Sequence, residues 1–471
     1  MHLALRDKKA KVFLGTEPSS YLKGVFILDQ EGKSVEQVQV ALLGLGTVGS
    51  GVFKMIQQNQ DVIARRTGRF FNIRSILVKN LEKKREIQEI HHLLTDDYNQ
   101  ILRQQIHVVI EAIGGVEPAR TYLIEAIKKG CHVVTANKEL IAKHGRELEE
   151  LAEQHGVRLL YEASVGGGIP VIGTLEHFLK ANHVYRICGI LNGTTNYILS
   201  QLSEQKREYT EILKEAQEKG YAEADPSSDV EGRDAAYKLS ILIRLAFDAD
   251  VPVEQIRCRG ITDVTSGELE LADRLGYTVK LLAQAEQFGE SGPIACSVCP
   301  TLIPKSHLLS KVNDVYNAVY LEGDRIQDLT LIGQGAGENP TASAMVEDLC
   351  NIERWQSFRR VKKAEPWIVE GAAEAGTQLI YLRSGDAVTE SDWEEQVKRW
   401  SGRGMEFHGW AFRQKERETE IGCIVSGWNE ETEADLITKT GRNAQIVTKR
   451  PVFLGGSVKS KEEKMARLTV G

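Results

Sequence analysis

Cysteine is scarce in this sequence: seven residues among 471. So sparse and odd a set gives no disulfide framework of the secreted kind and fits a reducing cytoplasm. The one close pair, Cys296 and Cys299, lies in an apolar, strand-like stretch without a second pair, and reads as core, not as a metal or redox centre. No apolar run approaches the length of a membrane-crossing helix. Arg6, Asp7, Lys8 and Lys9 stand where a secretory leader would need its apolar core, so no leader is expected. Positive charge is not in excess. With 59 Lys and Arg against 66 Asp and Glu the formal net charge is −7, which offers no polybasic surface to nucleic acid or a membrane. Internal repeats and low-complexity tracts are also lacking. What remains is an ordinary soluble composition, 42% hydrophobic and 27% charged, in a chain long enough for about two to four domains.

One segment stands out against that background. Residues 223–238 read Glu223-Ala224-Asp225-Pro226-Ser227-Ser228-Asp229-Val230-Glu231-Gly232-Arg233-Asp234-Ala235-Ala236-Tyr237-Lys238, and residues 239–247 continue as an almost wholly apolar stretch. Asp234 and Lys238 are four apart, so on a helix they share a face. A helix apolar nearly all round is buried, and charge on a buried helix is either paired or working. Spacing alone leaves both readings open: a structural ion pair at a helix start, or a functional pair.

Residues 37–43 read as a buried strand. They run into Gly44-Leu45-Gly46-Thr47-Val48-Gly49, after which Val52-Phe53-Lys54-Met55-Ile56 opens a helix. This is the glycine fingerprint of a dinucleotide-binding βαβ unit in its strand–turn–helix context. Gly44 permits the turn, Gly46 admits the pyrophosphate to the backbone, and Gly49 lets helix and strand pack closely.

Strand and helix patterns then alternate. Strands are expected at residues 73–78, 108–113, 133–136 and 158–163, and helices at 118–129 and 139–154. Such alternation predicts a doubly wound parallel sheet with ligands at the C-terminal strand ends. Gly114-Gly115 and Thr135-Ala136-Asn137-Lys138 sit at two of those ends. Lys138 is therefore either a solvated helix-start lysine or, by its place at the ligand edge, a functional one. Val165-Gly166-Gly167-Gly168-Ile169-Pro170 is a loop that serves as a hinge or turns carbonyls toward a cation. A strand at 185–191, the polar loop 192–196, and strands near 294–298, 317–321 and 329–332 predict a second, mixed sheet. The glycine-rich return 333–337 leads to a helix from Ser343 that could dock on the nucleotide domain.

The domain boundaries follow. Residues 1–36 form an extension with apolar clusters at 12–14 and 25–28, and residues 37–164 a Rossmann domain. Residues 165–348 form a mixed α+β substrate domain, 362–458 a C-terminal module and 459–471 a tail. The module shows strands at 379–382, 407–412, 421–425 and 446–454 and helices at 393–400 and 434–440, the βαββαβ order of a ferredoxin-like fold.

Taken together, the motifs 44–49, 135–138, Glu162-Ala163-Ser164-Val165-Gly166-Gly167-Gly168-Ile169-Pro170, Asn192-Gly193-Thr194-Thr195-Asn196-Tyr197, 223–238 and Gly333-Gln334-Gly335-Ala336-Gly337 resemble the homoserine dehydrogenase family over about residues 37–348. The resemblance implies reversible, nicotinamide-linked interconversion of L-aspartate 4-semialdehyde and L-homoserine, in threonine, methionine and isoleucine biosynthesis. It makes Lys238 the general acid/base and Lys138 its partner beside the nicotinamide. Two ammonium groups suit an oxygen that gains negative charge as hydride arrives. It makes Glu223 and Asp234, with Asp229, the residues around the substrate amino group. It implies cofactor contacts at Gly44, Gly46, Thr47, Val48, Gly49, Lys79, Gly114, Lys138 and Gly337. A sodium ion is implied at Glu162, Val165, Gly167 and Ile169, mostly through carbonyls. The implied protein is a cytoplasmic homodimer or homotetramer acting on a small molecule, with an ACT-like tail that could take an amino-acid effector. Two features depart from the family pattern. Ser384-Gly385-Asp386-Ala387 lacks the Asp-x-Pro-Gly turn of effector-binding tails, and residues 1–36 have no counterpart.

The cofactor choice can be read from one strand tip. NAD sites usually place Asp or Glu at the end of the second strand; here Lys79-Asn80 follows, with Lys83 and Arg85 beyond. The expectation is NADP over NAD, against a merely solvated basic turn. Two rivals remain. An acylating semialdehyde dehydrogenase would need a nucleophilic cysteine beside a base, and thiol alkylation separates it. A non-catalytic nucleotide sensor is opposed by the intact lysines and carboxylates, and an activity assay separates it.

Overall fold

The computed structural model describes residues 25–28, 34–352 except 86, 88, 89 and 206, residue 368, and 376–453 except 402, 403, 416, 417, 428, 429 and 441–443. The apolar cluster 12–14 and the tail 459–471 lie outside the described residues. The chain divides into two compact units, residues 1–177 with 336–361 and residues 178–335 with 362–471.

In the first unit six strands run parallel in the order Leu94–Thr95, Arg69–Leu77, Ser34–Leu43, Val108–Glu111, His132–Thr135 and Leu159–Leu160. The seventh strand, Val25–Leu28, pairs antiparallel with the start of Ser34–Leu43. The alternation of Ser34–Leu43 explains its place at the centre. Val38, Val40 and Leu42 enter the core on one face, and Ala41 and Leu43 enter the core on the other. Where a strand is covered on both faces it is continuously apolar, as Val40–Leu43 is here. Helix Thr47–Gln58 and the returning helix Glu338–Asn351 close the first face, where Val52, Ile56, Met345 and Leu349 are buried. Helices Ala119–Lys128 and Lys138–Gln154 close the second, with Leu123, Ile127, Leu140 and Leu148. Chain order reverses between Ser34–Leu43 and its neighbours, which sets the ligand crevice at the glycine turn.

Most expected elements are present with shifted ends, and two shifts bear on the site. The strand expected at 158–163 is cut to Leu159–Leu160 by a 3-10 turn, Glu162–Ser164. The return helix starts at Glu338, not Ser343, because Pro340 falls in the first turn, where a missing N–H costs no bond.

The second unit holds a mixed sheet in the order Gln327–Gln334, Tyr316–Gly323, Val184–Ile190, Tyr277–Gln287, Ile294–Pro304 and Arg257–Cys258. The inner strand Tyr277–Gln287 escaped the sequence reading. Its Lys280, Gln284 and Glu286 disguise a strand that is mostly buried, and Lys280 itself is 1% exposed. Burial pushes the Lys280 ammonium down to about 8. It donates to Asn196 Oδ1 at 3.0 Å and Val312 O at 2.7 Å, anchoring helix Gly193–Gln205. The loop expected at 192–196 is therefore the first turn of that helix.

The C-terminal module has the expected βαββαβ order, with strands Glu406–Lys415, Glu418–Ser426, Gln378–Ser384 and Gln445–Pro451 in an antiparallel sheet. Trp393 and Trp400 from helix Glu390–Ser401 meet edge to face 5.5 Å apart in its core.

The module is tied to the mixed-sheet domain by buried charge. Arg450, fully buried, donates to Glu268 at 2.7 and 3.2 Å and to Asp263 at 3.0 Å. Burial pushes the Glu268 carboxyl up and Arg450 opposes that rise. Nearby, Arg413 pairs with Glu270 at 3.1 Å. Every sequence motif precedes the module, which by itself predicts that deleting residues 362–471 leaves the catalytic fold intact. The seam argues otherwise, because deletion strips Glu268 of its cation. Arg450→Met is expected to destabilise the protein by about 3–5 kcal/mol, the usual cost of breaking a buried ion pair from one side. Denaturant unfolding checks this, and a loss below about 1 kcal/mol would restore the view of a dispensable tail.

Candidate active site

In the first unit the three glycines of the turn do different work. Gly44 has φ +98, and a Cβ there would lie 2.5 Å from Ala112 O. A Cβ on Gly49 would lie 2.2 Å from Gly44 O. Both positions need glycine for the chain's own packing. Gly46 does not: a Cβ there meets nothing within 4 Å. It caps helix Thr47–Gln58 without a side-chain bond, and no acidic residue stands in the first turn. Open space before uncapped helix N–H groups suits a pyrophosphate, so these residues fit a dinucleotide.

The neighbouring strand ends are stitched together. The Glu111 carboxylate accepts from Ile113 N at 2.6 Å, Gly114 N at 3.2 Å and Thr135 Oγ1 at 2.5 Å. This fixes Gly114 and Gly115, both at positive φ, and a Cβ on Gly114 also meets nothing within 4 Å. Asn137 donates to Gly115 O at 2.6 Å and caps helix Lys138–Gln154 by accepting from Leu140 N at 3.1 Å. Lys138 is thus the first residue of a helix, half-buried, against the positive end of the dipole. That placement opposes the usual preference and favours a ligand-directed role.

Lys79 follows strand Arg69–Leu77, whose Leu77 O accepts from Gly44 N at 2.9 Å, and it is exposed. Arg85, proposed with it as a phosphate contact, instead donates to Asn80 O at 2.6 Å and Lys83 O at 2.8 Å and holds the turn in shape.

In the glycine loop, Gly166 and Gly167 take positive φ. Glu162 is buried, and its carboxylate accepts from Ile172 N at 2.8 Å and Gly173 N at 2.6 Å. Burial pushes its carboxyl up to about 7 against those two bonds. Its backbone N–H donates to buried Asp348 at 2.8 Å. Gly337, at φ +112, is the N-cap of the return helix.

The second unit brings the charged segment together. Asp234 and Lys238 lie on the buried face of helix Arg233–Phe247, and Lys238 Nζ donates to Asp234 Oδ2 at 2.7 Å and Leu191 O at 2.6 Å. Gly232, at φ +87, turns the chain into this helix from the short helix Ser227–Val230 that carries Asp229. Asn192, which the sequence reading left inside a polar loop, joins the two carboxylates. Its Nδ2 donates to Asp229 Oδ1 at 2.7 Å and Asp234 Oδ2 at 2.9 Å. No described contact brings Glu223 to this cluster. It is exposed, and its carbonyl accepts from Gln217 at 3.1 Å.

Burial pushes the thiols of Cys131, Cys258 and Cys296 up to about 11 and that of Cys350 up to about 12. Cys423 is raised by the same cause. None of these five is poised as the thiolate that an acylating enzyme needs.

A dinucleotide cradle in one unit and a buried lysine among carboxylates in the other define a pyridine-nucleotide-dependent oxidoreductase. Residues 44–162 match the family model described as homoserine dehydrogenase, NAD binding domain, and residues 170–350 match the model described as homoserine dehydrogenase. The homoserine dehydrogenase of Bacillus subtilis is 46% identical over 319 residues, 68% of this chain and 73% of the relative. A solved homoserine dehydrogenase from Thiobacillus denitrificans superposes with a TM-score of 0.76 at 34% identity, covering 89% of this chain and 99% of that one. A hyperthermophilic archaeal homoserine dehydrogenase solved in complex with NADPH gives a TM-score of 0.58 at 25% identity, over 69% of this chain and all of that one (100%). The chain belongs to the homoserine dehydrogenase family. It interconverts L-aspartate 4-semialdehyde and L-homoserine with a nicotinamide cofactor.

Proposed function

We propose that Lys238 is the general acid/base of this reaction, and the observation that carries the proposal is its place between Asp234 and the Leu191 carbonyl. Those acceptors aim the ammonium. The bound nicotinamide supplies hydride to the aldehyde carbon, or accepts it from the alcohol. As the carbonyl oxygen gains charge, Lys238 donates a proton to it; in the oxidative direction neutral Lys238 takes that proton back. Lys138 serves on the nicotinamide side of the reaction. Asp229 and Asp234 hold the substrate ammonium. Gly44, Gly46, Thr47, Val48, Gly49, Gly114 and Gly337 line the cofactor.

NADP is the preferred cofactor in this reading. No carboxylate ends strand Arg69–Leu77, Lys79 stands exposed beside the glycine turn, and the archaeal relative was solved with NADPH. With Arg85 committed to its own turn, Lys79 meets the 2′-phosphate as a point charge. Lys79→Ala is expected to raise KM for NADP about tenfold and leave KM for NAD unchanged. Side-by-side kinetics check this, and an advantage for NAD that ignores the substitution would remove the assignment.

This reading includes a sodium ion at the glycine loop, taken by carbonyls of Val165, Gly167 and Ile169 with Glu162. The Glu162 carboxylate serves first to cap the turn at Ile172 and Gly173. The enzyme works in the cytoplasm, in threonine, methionine and isoleucine biosynthesis, as a homodimer or homotetramer. The module's place in the same unit as the substrate residues supports an amino-acid effector acting through it.

A further inference from the structure

We infer that Asn192 is a positioning residue: one side-chain amide holds Asp229 and Asp234 at the spacing that receives the substrate ammonium. The inference rests on the reading of those carboxylates as the substrate end of the site.

Strand Val184–Ile190 delivers Leu191 and Asn192 to its C-terminal end, and helix Gly193–Gln205 starts at the next residue. The helix start has little freedom. A Cβ on Gly193 would lie 2.8 Å from Val315 O, and Lys280 grips Asn196 one turn on. Asn192 is 5% exposed. Its Oδ1 accepts from Thr195 N at 2.8 Å and Thr195 Oγ1 at 2.9 Å. The Thr195 N–H can only donate, which fixes Oδ1 at that end of the amide and turns the NH2 end to the carboxylates. It gives one hydrogen to each, at 2.7 and 2.9 Å.

Asp234 is buried and Asp229 partly buried, and two carboxylates that share one amide nitrogen repel each other. The amide carries no charge, so it bridges them without neutralising the site for a cationic substrate. Lys238 bonds the same Asp234 oxygen that Asn192 bonds, so the amide also fixes the acceptor that aims the proton donor.

The competing reading makes Asn192 only a helix cap. Oδ1 does that work, and an aspartate caps equally well. The positioning work belongs to Nδ2, so the two roles separate in one variant. Asn192→Asp keeps the cap acceptor, loses both donors and adds a third negative charge. The expected result is a folded protein with a lowered unfolding midpoint and a cofactor Kd close to wild type, with kcat/KM for homoserine lowered about 10²- to 10³-fold and much of the loss in KM. The double variant Asn192→Asp/Asp229→Asn exchanges donor and acceptor across the same bond, and is expected to recover at least about tenfold over Asn192→Asp. A cap alone predicts no such rescue. Homoserine kinetics of Asn192→Asp within about threefold of wild type, or a double variant no better than the worse single one, would overturn the inference. Asp229→Asn alone separates the two levels. An unchanged homoserine KM there overturns the substrate-site reading and the inference with it. A raised KM there beside a wild-type Asn192→Asp overturns the bridging role only.

Discussion

Lys238→Ala is expected to lower turnover of homoserine by about 10²–10⁴-fold, the usual contribution of a general acid/base, while cofactor affinity stays at the wild-type value. The split follows from where the residue sits. Lys238 belongs to the second unit and bonds Asp234 and Leu191 O, whereas the glycine cradle is built within the first. Alanine also leaves Asp234 buried without this cation, so some loss of stability accompanies the loss of rate. Lys238→Arg separates charge from proton transfer, because a guanidinium keeps the ion pair but does not give up its proton at neutral pH. It should remain folded and still be slow. Turnover near wild type in Lys238→Ala would remove the lysine from the mechanism.

Gly46→Val is expected to abolish cofactor binding in a protein that still folds. A Cβ at residue 46 meets nothing within 4 Å beyond its chain neighbours, so the valine projects into the space before the helix N-terminus. Gly49→Val offers the contrast. Its Cβ would press on Gly44 O at 2.2 Å, so misfolding is expected there. Cofactor titration with a melting curve on each variant tells the two apart. Unchanged affinity in folded Gly46→Val would place the nucleotide elsewhere.

The nucleotide-binding unit was legible in the sequence because its signals are local. Where a strand is buried on both faces it is continuously apolar, and the glycine turn has to fall at its end. The Asp234–Lys238 pair was legible for the same reason, since four residues on one helix face fix their proximity. What escaped depends on distant partners. Tyr277–Gln287 hides its strand character behind Lys280, whose charge is tolerated only because Asn196 and Val312 receive it. Asn192 looks like a loop residue until the fold brings Asp229 and Asp234 to it. Arg450 and Glu268 are 182 residues apart, and nothing in the local pattern of either announces a buried pair. The tip of the second strand was read correctly as lacking a carboxylate, but the side chain of Arg85 turned out to hold its own loop.

The central claim is that this chain oxidises homoserine and reduces aspartate semialdehyde, with Lys238 carrying the proton. The most direct measurement follows reduced nicotinamide while purified protein is given homoserine with NADP or with NAD, in parallel with Lys238→Ala. Homoserine-dependent formation of reduced cofactor is expected, faster with NADP, insensitive to thiol alkylation and nearly absent in the variant. Folded, cofactor-binding protein that forms no reduced cofactor from homoserine with either nucleotide would contradict it.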